Sequence, residues 1–151
     1  MASWDRAAPL LHEAHASATT PEGKLRCAHV LGIMGDAGGF DTLAKAVGDA
    51  THYDAGSIDT YFPCVTWLDS YIIALGRTRD CRAMPIILDK LQMLGSDKNS
   101  DQFSHYRAVC EALEQLGDPA AAGGLLSLFH AERGTGLRGC FNAIALLGKL
   151  T

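Results

Sequence analysis

The sequence predicts an all-α chain built as a solenoid of stacked helical hairpins, and three observations carry that reading. The first is a repeated phrase: Leu31-Gly-Ile-Met-Gly-Asp36, Leu75-Gly-Arg-Thr-Arg-Asp80 and Leu113-Glu-Gln-Leu-Gly-Asp118 share an apolar helix end, a turn and then an aspartate. The second is the apolar spacing around each phrase, which follows the helical period on both sides. The third is size and composition. A chain of 151 residues that is 48% hydrophobic and 20% charged is neither disordered nor long enough for two ordinary domains. At this length folding can bury about 68–70% of the unfolded chain's surface without disulfide or metal staples.

The elements follow in order. Trp4-Asp-Arg-Ala-Ala-Pro-Leu-Leu11 resembles Asp80-Cys-Arg-Ala-Met-Pro-Ile-Ile87, so residues 3–17 read as the second helix of an incomplete hairpin. Thr20-Pro21-Glu22 is a helix start, with a capping hydroxyl and a proline whose missing N–H costs nothing in the first turn. It opens the first full hairpin, about 21–49, with Leu25, Ala28, Leu31 and Met34 on one stripe and Leu43 to Val47 on the returning helix. The second hairpin, about 62–95, carries Val65, Leu68, Ile72 and Leu75, then Ile87, Leu88, Leu91 and Leu94. The third, about 103–131, carries Tyr106, Val109, Leu113 and Leu116, then Leu125, Leu126 and Phe129. Leu137, Phe141, Ile144 and Leu147 predict a last half-repeat over 137–150. Glycine suits the left-handed residue that closes many helices, and Asp36, Asp80 and Asp118 are expected as caps for the helices that follow. Half-repeats at both ends leave apolar faces without their usual polar covers, which suggests a module of a larger protein.

Arg26 to Asp36, Ser70-Tyr-Ile-Ile-Ala-Leu-Gly-Arg-Thr78, and Ser104-His-Tyr-Arg-Ala108 through Glu114-Gln-Leu-Gly-Asp-Pro-Ala-Ala121 resemble HEAT repeats, closest to the short bacterial type named for the phycobilisome lyases. The resemblance spans nearly the whole chain. It implies a right-handed superhelix with the second helices on the concave side. Trp67-Leu-Asp-Ser-Tyr-Ile-Ile-Ala-Leu-Gly-Arg-Thr78 and Ser104-His-Tyr-Arg107 also resemble the helical C-terminal region of bacterial FAD-dependent oxidoreductases. There the flavin sits in a separate N-terminal domain, so this likeness implies an accessory module and transfers no catalytic residue and no cofactor.

Several constellations that suggest chemistry lack a necessary part. Gly134-Thr-Gly-Leu-Arg-Gly139 fits the dinucleotide fingerprint, but a helix precedes it where a strand is needed, and the chain runs only 12 residues beyond it. It reads as an inter-repeat loop. His12 and His15 share a helix face but make only two ligands, and Cys27 and His29 diverge on a helix. The five cysteines, Cys27, Cys64, Cys81, Cys110 and Cys140, are odd in number and widely spaced, so they read as reduced thiols in a cytoplasmic setting. Cys27, Cys110 and Cys140 fall among apolar neighbours, while Cys64 and Cys81 lie near helix starts. Arg77, Arg79 and Arg82 cluster at one turn, yet the net charge of −4 argues against nucleic acid as a partner. The longest charge-free run near the C-terminus, Pro119 to Ala131, has 13 residues, below the roughly 18 that would suggest a membrane span.

The spacing between repeats is more informative. Asp36 to Asp80 is 44 residues and Asp80 to Asp118 is 38, whereas Gly117 to Gly148 is the compact 31. The extra length falls in Gly48 to Tyr61 and Gly95 to Gln102, equivalent connections that a solenoid stacks along one edge. Long loops on a rigid scaffold commonly carry binding. His52, Tyr53, Asp54, Asp59, Tyr61, Asp97 and Lys98 are therefore the candidate docking residues, and the expected function is a non-catalytic protein-interaction scaffold for a partner or a neighbouring domain.

Overall fold

The helices that open after Thr20 and Thr66 start where the threonine hydroxyl caps them, and those that close before Gly35, Arg79 and Gly117 stop at a left-handed residue. The computed structural model describes residues 4–51, 66–96 and 103–131, together with Ala145, Gly148 and Lys149; the last half-repeat and most of both long connections fall outside them. The described chain is all-α: α1 (Trp4–Ser17), α2 (Pro21–Ile33), α3 (Phe40–Asp49), α4 (Trp67–Arg77), α5 (Ala83–Ser96), α6 (Phe103–Leu116) and α7 (Ala121–Ala131), with a short 3-10 turn over Ala37–Gly39 before α3. At the start of α2 the Thr20 hydroxyl accepts from Gly23 N–H at 3.1 Å, and Pro21 takes the first helical position.

The three hairpin turns are built alike. After α2, Asp36 N–H reaches back to the Leu31 carbonyl at 2.9 Å and Gly35 N–H to that of Gly32 at 2.9 Å, which closes the helix through a left-handed Gly35. Gly117 plays that part after α6, while after α4 it falls to Arg79, at φ 56°. The next aspartate then starts the following segment. Asp36 accepts from Gly38 N–H at 2.7 Å, Asp80 from Arg82 N–H at 3.0 Å and Asp118 from Ala120 N–H at 2.9 Å.

Helices α2, α4 and α6 lie side by side and run the same way. Gly32 sits against Ala74 and Gly76 against Ala112, and the Arg77 side chain reaches Glu111. Helices α3 and α5 also run together, since Arg82 reaches Asp41 and Lys90 reaches Gly48 and Ala50; Gly124 of α7 abuts Leu88 of α5. Helix α1 packs on α2 and is tied to the first hairpin by His12–Asp36 and His15–Thr42 hydrogen bonds of 2.9 and 3.0 Å. Between the two rows is one core, with Leu43, Val47, Ile72, Leu75, Ile87, Val109, Leu113 and Leu125 fully buried. Each such side chain contributes about 1.5–3 kcal/mol relative to exposure.

The glycine in Leu-Gly of the repeated phrase is not the one that closes the helix; Gly35 and Gly117 do that. Gly32 and Gly76 lie inside α2 and α4, where they let neighbouring helices touch backbone to backbone. A Cβ on Gly76 would stand 2.5 Å from both Cα and the carbonyl oxygen of Ala112. Those are backbone atoms and cannot swing aside. Gly76→Ala should therefore cost about 1–3 kcal/mol through overpacking. Gly123→Ala, with nothing within 4 Å of the added carbon, should instead be neutral or gain up to about 1 kcal/mol. Urea denaturation of the two variants checks the contrast. In the third repeat the equivalent position is Glu114, whose carboxylate pairs with Lys149.

Candidate functional site at the start of helices α4 and α6

Among the described residues, the edge where α3 ends and α4 and α6 begin holds the buried polar side chains Thr66, Asp69, Lys90 and His105. Thr66 and Asp69 form a reciprocal capping box: Asp69 N–H donates to the Thr66 hydroxyl at 3.2 Å and Thr66 N–H to Asp69 Oδ2 at 2.9 Å. The other oxygen of Asp69, Oδ1, bonds His105 Nδ1 from the first turn of α6. Asp69 is 1% exposed and His105 5%. A buried carboxylate is costly unless fully partnered. Here the Thr66 N–H and the imidazole, together with the positive end of α4, supply that compensation.

Lys90 is the second buried charge, at 2% exposure. From α5 it donates to the carbonyls of Gly48 at 3.2 Å and Ala50 at 2.7 Å, and it pairs with Asp89 at 3.3 Å. It thus satisfies the carbonyl end of α3 and pins the chain where the first long connection departs.

Beside the polar pair stands an aromatic group. His29 of α2 shares a 2.7 Å hydrogen bond between Nε2 and the Ser70 hydroxyl. Its ring meets Tyr71 edge-on at 5.2 Å and Trp67 at 6.2 Å, and Trp67 and Tyr71 stack at 6.0 Å with their planes 26° apart. Burial lowers the His29 pKa, so the imidazole is neutral at physiological pH. Trp67 nonetheless remains 52% exposed.

Ser70–His29 has the atoms of a nucleophile and base, but the adjacent carboxylate, Asp69, is turned toward His105. Among the described residues nothing acidic bonds the His29 ring, so the pair lacks the third member that orients a catalytic imidazole. No group of three His, Cys, Asp or Glu that could hold a metal occurs among the described residues. Burial drives the Cys110 thiol up to about 12, far from a nucleophile's range. Cys27 is only half-buried and Cys81 is exposed.

The candidate docking residues His52, Tyr53, Asp54, Asp59, Tyr61, Asp97 and Lys98 lie outside the described residues. Their flanks do not: Ala50, Thr66 and His105 all stand at this edge. The turn aspartates lie at the other edge. There burial works against the charge of Asp36, but the Gly38 N–H and His12 outweigh it and hold its carboxyl below the usual range. Arg82 does the same for Asp80. Sequence reasoning missed the Asp69–His105 pair, although Thr66-x-x-Asp69 is itself a capping-box pattern.

No described helix is long and apolar enough to cross a membrane. No family model matches the chain, and no curated protein matches it.

Proposed function

We propose that the chain is a non-catalytic docking module, a right-handed solenoid of HEAT-like hairpins that holds a protein partner or a neighbouring domain of a larger protein. The α2–α4–α6 row, backed by α3 and α5, supports the solenoid reading. The observation that carries the docking reading is Trp67: a large indole, stacked on Tyr71 and braced by His29, left half in water at the edge where two long connections depart. Rigid aromatic side chains of this kind are preferred interface anchors, because they offer contact area at little conformational cost.

Trp67→Ala separates docking from folding. Binding should weaken tenfold or more, typical of a lost interface anchor, while the urea midpoint moves little because the indole is half-exposed. The measurement is retention of a defined partner, identified by cross-linking from residue 67, on immobilised wild-type and variant protein. Equal retention by both overturns the reading. If the parent is a flavin enzyme, its chemistry lies in another domain, and flavin absorbance in this chain alone would count against a non-catalytic module.

A further inference from the structure

The turn between α4 and α5 holds two features that packing leaves unexplained. The corresponding turns after α2 and α6 place glycine in the left-handed conformation, Gly35 at φ 82° and Gly117 at φ 66°. After α4 the residue is Arg79, at φ 56°, a conformation that a side-chain-bearing residue adopts only against steric resistance. Strain kept where glycine would relieve it points to a use for the side chain. That side chain lines a cavity of about 400 Å³ with Arg77, Gln115 and the Ile33-Met34-Gly35 end of α2.

The charges around the cavity leave guanidinium donors over. Asp80, the acid next to Arg79 in sequence, is taken up by Arg82 through bonds of 2.6 to 3.1 Å. Arg77 touches Glu111 and the Ile33 carbonyl, both at 3.4 Å, which is long for N–H···O bonds. Arg79 is exposed, and no described carboxylate pairs with it. The carbonyl ends of α2 and α4 do favour cations here, and Arg77 lies nearest them, beside the Ile33 carbonyl and in the last turn of α4. Arg79 adds a second positive charge beyond that need.

We propose that this cavity binds a phosphoryl group, with the guanidinium forks of Arg79 and Arg77 and the Gln115 amide as donors. Two adjacent cations match a dianion, and the planar fork suits tetrahedral phosphate oxygens. The site lies at the opposite end of α4 from Trp67 and does not depend on the docking reading.

The test is thermal unfolding of the whole chain in inorganic phosphate against chloride of equal ionic strength, with titration calorimetry for affinity. Wild-type protein should bind phosphate and melt higher in it. Arg79→Gly and Arg79→Asn both suit the left-handed turn; each should weaken phosphate binding tenfold or more while melting no lower than wild type in chloride. No phosphate response in the wild type, or an equal response in both variants, overturns the proposal. So does a lower melting temperature of both variants in chloride, since the side chain would then serve the fold. A phosphoserine peptide that binds more tightly than inorganic phosphate assigns the group to a phosphorylated protein, and equal binding assigns it to the free ion; both support the site.

Discussion

Asp69→Ala should destabilise the protein by about 2–5 kcal/mol, because two buried polar groups lose their partner at about 1–3 kcal/mol each. The alanine deletes two bonds at once, the acceptor for Thr66 N–H and the partner of His105 Nδ1, and keeps only the backbone half of the capping box, Asp69 N–H to the Thr66 hydroxyl. His105, 5% exposed, would keep a buried polar ring without its carboxylate. The loss falls on both helices, because the pair ties the first turn of α4 to the first turn of α6. Asp69→Asn separates charge from geometry: its amide oxygen can still accept one of these bonds, so it should fall between wild type and alanine. Urea unfolding followed by circular dichroism reads all three proteins. A wild-type midpoint for Asp69→Ala would show that the buried pair contributes nothing to stability.

Leu113→Ala should cost on the order of 2–5 kcal/mol, the transfer term plus the cavity left behind. Leu113 is fully buried and belongs to the core cluster with Leu75, Val109 and Leu125. One position away, Ala112 is pressed against Gly76, so α6 cannot shift to fill the space. The expected loss therefore lies in the upper half of that range. Leu126, 46% exposed on α7, is the control, and its alanine variant should stay within about 0.5 kcal/mol of wild type. An unchanged midpoint for Leu113→Ala would place that side chain outside the core.

The helices were legible because their signals are local. Thr20-Pro21 before α2, the aspartate after each turn and the three- and four-residue apolar spacing each act within a few residues. The stripe of Leu68, Ile72 and Leu75 is buried for the same reason, since burying one face is the main driving force for a helix pair. What the pattern left without a role was the glycine of Leu-Gly. Its role is a close approach between helices 42 and 36 residues apart in sequence, Gly32 to Ala74 and Gly76 to Ala112, and no local signal marks such a contact. The site was hidden for a similar reason. Asp69 and His105 look like polar interruptions in two apolar stripes, and only their meeting makes each of them tolerable inside the protein. Arg79 carries a weaker local clue, because it stands where the sister phrases have glycine.

Glu114 in place of that glycine sets a limit on the α2–α4–α6 row. A helix laid beside α6 would meet the Glu114 side chain where the first two seams have only glycine. Lys149 meets Glu114 at its side chain, and a cavity of about 350 Å³ lies among Arg107, Cys110, Glu111 and Ala145. Whatever lies against this face of α6 therefore meets a charged side chain where the first two seams offer bare backbone, and the contact there has to be a wider one.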